Sequence, residues 1–123
     1  MRSIGAAALL LSHLVVAHAQ VATYECNYPS YSDGKSVRRS TEKFGLTFVV
    51  DSSKKTAYIV GNNGGSEVHL VPSAFGPTFI EVTQTGNVMT TAIANDGASV
   101  HSRGTRMQDG LVPSQYYGHC VVR

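Results

Sequence analysis

Two cysteines, Cys26 and Cys120, stand near opposite ends of the chain, and that spacing restricts the possible folds more than any other feature. With only two, their connectivity is fixed once they pair. A bridge between them makes everything in between the body of one closed unit, so the first and last folded segments must become neighbours. In the loop-entropy account, closing almost the whole chain in this way stabilises the fold by about 4 to 5 kcal/mol.

The first residues predict the compartment in which such a bridge forms. Arg2 supplies a short positive region, Ile4 to Ala17 is an apolar run broken only by small residues, Ser12 and His13, and Ala17-His18-Ala19 fits the small-x-small rule of a signal peptidase site. The reading is a signal peptide over 1–19, cleaved after Ala19, followed by one domain over 20–123 in the periplasm or outside the cell. The run is shorter than the roughly 20 apolar residues of a spanning helix, and no second run follows, so no membrane span is expected. Cys26 follows Thr23-Tyr24-Glu25 and does not abut the cleavage site, so no lipid anchor is expected. An exported chain meets oxidising conditions, which favour the Cys26–Cys120 disulfide. Once Arg2 leaves, basic and acidic residues nearly balance, and the one local excess, Lys35, Arg38, Arg39 and Lys43, lacks interleaved aromatics. Nucleic acid is therefore not expected as a partner.

Along the chain the pattern is a short alternating run followed by a turn, with no apolar residues at helical spacing for three turns. Val21 to Asn27 reads as a first strand and Tyr28 to Lys43 as a long loop. Leu46, Phe48 and Val50 alternate in a second strand, and Thr56 to Val60 is a third. Gly61 to Gly65 contains an Asn-Gly hairpin sequence. In Glu67 to Val71, Val68 and Leu70 face one way and Glu67 and His69 the other. Three further runs, 78–84, 88–94 and 98–103, are joined by short turns. Gly104 to Gly110 reads as a polar loop, and Ser114 to Val122 as the last strand. The connections are too short for parallel crossovers, so the expectation is an all-β antiparallel meander of about eight strands. It forms a small barrel or a strongly curled sheet, tied by one terminal disulfide.

Candidate chemistry is sparse. His69, His101 and His119 have none of the spacings that make a metal site specific, so no metal and no cofactor is expected. No G-x-S-x-G elbow or phosphate-binding glycine motif occurs. Glu25, Glu67 and Glu81 sit on separate strands with nothing to fix their separation as a glycosidase pair. By alternation, His101 shares a face with Arg103 and His119 with Tyr117, each opposite the aliphatic residues beside it. If the last two strands pair across the Gly104 to Gly110 loop, His101, Arg103, Gln115, Tyr117 and His119 form one surface patch. Arg with Tyr is the composition of recognition surfaces. Alternatively, Tyr116 and Tyr117 pack on the two faces of a strand, one filling the core beside Cys120.

In pattern, with Tyr24-x-Cys26 early, a Gly-rich meander and Gly118-x-Cys120 late, the chain resembles small exported bacterial β-proteins. The early Tyr-x-Cys and the disulfide-tied β body are also similar to periplasmic inhibitors of c-type lysozyme. Those carry a Ser-Gly-containing loop, to which Ser102-Arg103-Gly104 is the nearest approach, and no functional residue is carried over. The expected function is an exported, non-catalytic binding module of the cell envelope or extracellular space, its partner a protein or a glycan and its action inhibitor-like if a protein. The alternatives are a small hydrolase using carboxylates or histidines, His101 and Glu81 among them, and a structural subunit of an envelope assembly. A small apolar ligand inside a barrel ranks below these, because eight-stranded barrels are often filled by their own side chains.

Overall fold

The computed structural model describes residues 20–61 and 64–123. The segment read as a signal peptide, 1–19, lies outside the described residues, as do Asn62 and Asn63 of the Asn-Gly turn. Among the described residues nine strands follow in order: β1 Val21–Ser32, β2 Val37–Arg39, β3 Gly45–Asp51, β4 Thr56–Gly61, β5 Gly64–Val71, β6 Thr78–Val82, β7 Val88–Ile93, β8 Ala98–Met107 and β9 Gly110–Val122. From β3 to β9 each strand pairs antiparallel with the next, and β1 pairs with both β3 and β9. That second pairing closes the sheet, so the fold is an eight-stranded antiparallel barrel with β2 added at the rim. Closure decides between the barrel and the curled sheet.

The seam lies where the cysteines required it. Cys26 and Cys120 are directly opposed in the β1–β9 ladder and form the disulfide. On one side of them Thr23 and Arg123 exchange backbone hydrogen bonds of 3.0 and 2.8 Å, and Arg123 reaches Glu25 at 2.9 Å.

Alternation then fills the interior. Leu46, Phe48 and Val50 of β3, Val68 and Leu70 of β5 and Phe79 of β6 all join the core. Phe48 stacks on Phe79 at 4.3 Å between ring centroids, and Tyr24 meets Phe79 edge-on at 5.8 Å. Glu67 and His69 are exposed on the outer face of β5, as their alternation with Val68 predicts.

Two segments read as loops are strand. β1 continues past Asn27 to Ser32 because it finds partners on both sides there, β9 and β2. The continuation needs a bulge: the register with β9 shifts between Asn27 and Ser30. Pro29, which has no amide to donate, sits in that shift. Tyr28 beside it turns fully into the core, held by its amide on the Phe44 carbonyl at 2.9 Å. The segment Gly104 to Gly110 is not a loop either. β8 and β9 stay paired to Met107 opposite Gly110, around a turn at Gln108-Asp109. β7 accompanies β8 only to Arg103 and β1 accompanies β9 only to Gln115, so this hairpin projects beyond its neighbours. Arg106 steadies it through the Gly86 carbonyl at 2.7 Å.

Candidate functional site

The registers place one continuous row of side chains around the wall, inward on the barrel strands and exposed where it runs onto β2. Arg38 on β2 lies opposite Tyr31 on β1, Tyr31 opposite Tyr116 on β9, Tyr116 opposite His101 on β8, and His101 opposite Thr91 on β7. Arg103, two residues beyond His101 on the same face, lies nearer the rim that carries β2 and the projecting hairpin.

His101 is therefore not a surface residue. It is 1 % exposed, which corrects the expectation that it lies outside with the other candidates. The reason is register: Cys120 points inward, buried with Cys26, Tyr116 shares its parity, and His101 is Tyr116's partner. Both ring nitrogens are engaged. Arg103 donates from Nε to His101 Nε2 at 2.9 Å, so Nε2 is the unprotonated nitrogen, and Nδ1–H donates to Thr91 Oγ1 at 2.7 Å. Burial, and then the charge of Arg103, lower the His101 pKa from 6.5 to about 4. The imidazole is thus a neutral, fixed acceptor, and a hydrolytic role for it has no free nitrogen to work with.

Above this chain is an aromatic wall. The Arg103 guanidinium carbon lies 4.9 Å from the Phe44 ring centroid and 5.3 Å from that of Tyr116. Phe44 and Tyr116 are 4.5 Å apart, and Tyr31 stacks beyond Tyr116 at 5.9 Å. Below it, Tyr28 and Ser99 share a hydrogen bond of 2.9 Å, and Ser99 donates to the Ala92 carbonyl. Every fully buried side-chain nitrogen and oxygen among the described residues has a partner.

The neutrality of His101 ties stability to pH. In the unfolded chain its pKa returns to 6.5, so the unfolded state binds the extra proton between pH 6.5 and about 4 while the native state does not. The stabilisation is complete above pH 6.5 and falls as the pH drops toward 4, by about 3 kcal/mol. Urea unfolding at pH 7 and pH 4 should show this loss in the wild type. A His101→Gln variant, whatever its absolute stability, should show that much less pH dependence.

The five proposed patch residues thus divide between two faces of the wall. His101 and Arg103 point inward. Gln115, Tyr117 and His119 alternate with Tyr116 and lie outside, where the Tyr117 hydroxyl donates to Gln115 Oε1 at 3.0 Å and His119 Nε2–H donates to the Asp96 carbonyl at 3.0 Å. Tyr116 and Tyr117 take opposite faces of β9, and Tyr116 packs against the core. Around Tyr117 the outer face of β7 to β9 is floored by small side chains. A depression of about 410 Å³ lies over Ala92, Ala98, Val100 and Tyr117, and another of about 310 Å³ over Thr90, Ser102, Gln115 and Ser32. Among the described residues no three His, Cys, Asp or Glu converge. Glu25, Glu67 and Glu81 come from β1, β5 and β6, with Glu25 paired to Arg123.

Sequence reasoning missed Phe44 beside Arg103, Thr91 and Tyr28 beside His101, and Tyr31 beside Tyr116. The signal that could have found them was the Gln108-Asp109 turn: a two-residue connection there, counted back in step along both strands, sets His101 opposite Tyr116. Comparison of the chain with protein-family models, with curated proteins and with solved structures yields no match.

Proposed function

We propose that the chain is an exported, non-catalytic binding module of the cell envelope or extracellular space, and that its partner, a protein or a glycan, docks on the outer face of β7 to β9. An inhibitor-like contact with a partner protein falls within this reading. The leader-like sequence over 1–19 and the disulfide support export. The observation that carries the binding role is the uncharged middle of the outer face, short of Arg106, with the hydrogen-bonded Tyr117–Gln115 pair between its two depressions. No Asp, Glu, Lys or Arg side chain stands among the outward residues Thr90, Ala92, Val100, Ser102, Gln115 and Tyr117, so this face favours shape and hydrogen bonding over charge.

Native mass spectrometry of the protein recovered from its own compartment, before and after denaturation, tests this. The expected result is bound mass that is released on denaturation and is absent from Val100→Glu, an outward position 37 % exposed, at unchanged melting temperature. Retention of the same mass by Val100→Glu and by Tyr117→Ala removes this face from the proposal. Turnover of an envelope substrate, abolished by one side-chain change, overturns the non-catalytic reading.

A further inference from the structure

We propose that Arg103 is the anchor of a second site, at the barrel rim, that takes the carboxylate of an acidic side chain on a partner protein. This site does not depend on the outer face, and either can fail without the other.

The arrangement is a cation held in place without being neutralised. Arg103 is half-buried, its Nε is committed to His101, and its guanidinium carbon lies over the rings of Phe44 and Tyr116. Its two terminal nitrogens, the pair that grips a carboxylate end-on, make no hydrogen bond or ion pair among the described residues. A side chain that only had to be stabilised would sit beside a carboxylate. Here the buried partner is a neutral imidazole, itself fixed by Thr91, which orients the guanidinium and leaves its charge unspent. Glu81 lies on the same inward row, two strands away through Met89, and does not approach Arg103 within 4.0 Å.

The surroundings favour a carboxylate over a tetrahedral anion, and a protein over a small molecule. A carboxylate paired end-on meets the fork with both of its oxygens and leaves no further charged oxygen to set against the Phe44 and Tyr116 rings, whereas a phosphate does. The rim is open, so a partner whose own surface covers the pair is needed to exclude water. The hairpin that continues from Arg103 supplies an apolar shoulder for such a partner, with Met107 58 % and Val112 48 % exposed on the face that carries Arg103. The basic excess of the 35–43 segment lies at the same end: Arg38 follows Tyr31 in the row, 59 % exposed and 3.7 Å from Asp33. It draws acidic surfaces toward the rim at long range.

The test is ¹H–¹⁵N NMR of the Arg103 Nε–H, observed in the oxidised protein titrated with a capped peptide containing leucine and glutamate. Its glutamine twin, glucuronate and inorganic phosphate are titrated in parallel. The expected result is a saturable shift of the Arg103 signal and the Tyr116 ring signals with the glutamate peptide, at least about tenfold tighter than with any other probe. Arg103→Lys, which keeps the charge and loses the fork, should weaken the peptide by a similar factor. Should that variant not fold, Arg38→Glu, at an exposed position, should weaken it severalfold through the rim field. Equal response to the two peptides, a stronger response to glucuronate or phosphate, or indifference to these substitutions overturns the proposal.

Discussion

Replacing Gly118 with alanine is expected to destabilise the protein by about 3 to 5 kcal/mol, an effect of the size reserved for severe overpacking. A Cβ on Gly118 would stand 1.8 Å from the Asn27 carbonyl oxygen and 2.8 Å from the Tyr28 Cα. Both obstacles are backbone, so no rotamer change relieves them. They belong to the bulged stretch of β1, where the shifted register brings the two strands into close approach. The strands cannot simply part, because the disulfide at Cys120 pins them two residues away. Gly65→Ala is the control: it also lies in a strand, but its Cβ would meet the Ile59 carbonyl at an ordinary 3.6 Å, so a loss under about 1 kcal/mol is expected. Urea midpoints at constant m-value report both. A Gly118→Ala protein as stable as Gly65→Ala would mean that β1 and β9 do not meet in this register.

The second large effect concerns the bridge. Cys26→Ala with Cys120→Ala should lower the unfolding free energy by about 4 kcal/mol, since the link closes a separation of 94 residues in the unfolded chain. The folded barrel should survive the change. The β1–β9 ladder continues on both sides of the bridge, and its hydrogen bonds do not require sulfur. Hydrogen exchange at Thr23 and Arg123 should therefore show a seam that is native but opens more often. A loss below about 1 kcal/mol would assign the seam's stability to its ladder alone.

These two substitutions fall on features of unequal legibility in the sequence. The bridge and the meeting of first and last strands could be read directly, because two cysteines leave one connectivity and a meander leaves one place for it. The inward faces of β3 and β5 were equally plain, since Phe48 alternates with Leu46 and Val50, and Val68 stands between Glu67 and His69. The bulge could not be read. Tyr28-Pro29-Ser30 looks like the start of a loop because proline and serine break local alternation. What makes it strand is the pairing of β1 with β9, far away in sequence, and with β2. His101 was misplaced for a related reason. Between Val100 and Ser102 its own neighbours argue for solvent, but a strand's parity is set by its partners, and the partner here is fixed through Tyr116 by Cys120. Local polarity lost to register. Of the candidate site, the sequence offered the residue types, Arg with Tyr, and not their distribution over the two faces of the wall. The fixing of Arg103 by Thr91 and His101 required three strands in register.

The seam has one more consequence. The contacts that close the barrel are the most distant in sequence, and in a reduced chain they carry the largest loop-closure entropy, so the hairpins from β3 to β9 can zip up before the wall is complete. Oxidation reverses that order of difficulty. Once the sulfurs are joined, the chain between them is topologically a ring, in which β1 and β9 are as local to each other as any hairpin pair. A ring of strands has no first hairpin and no last one, and folding can then start at any turn and finish at any other.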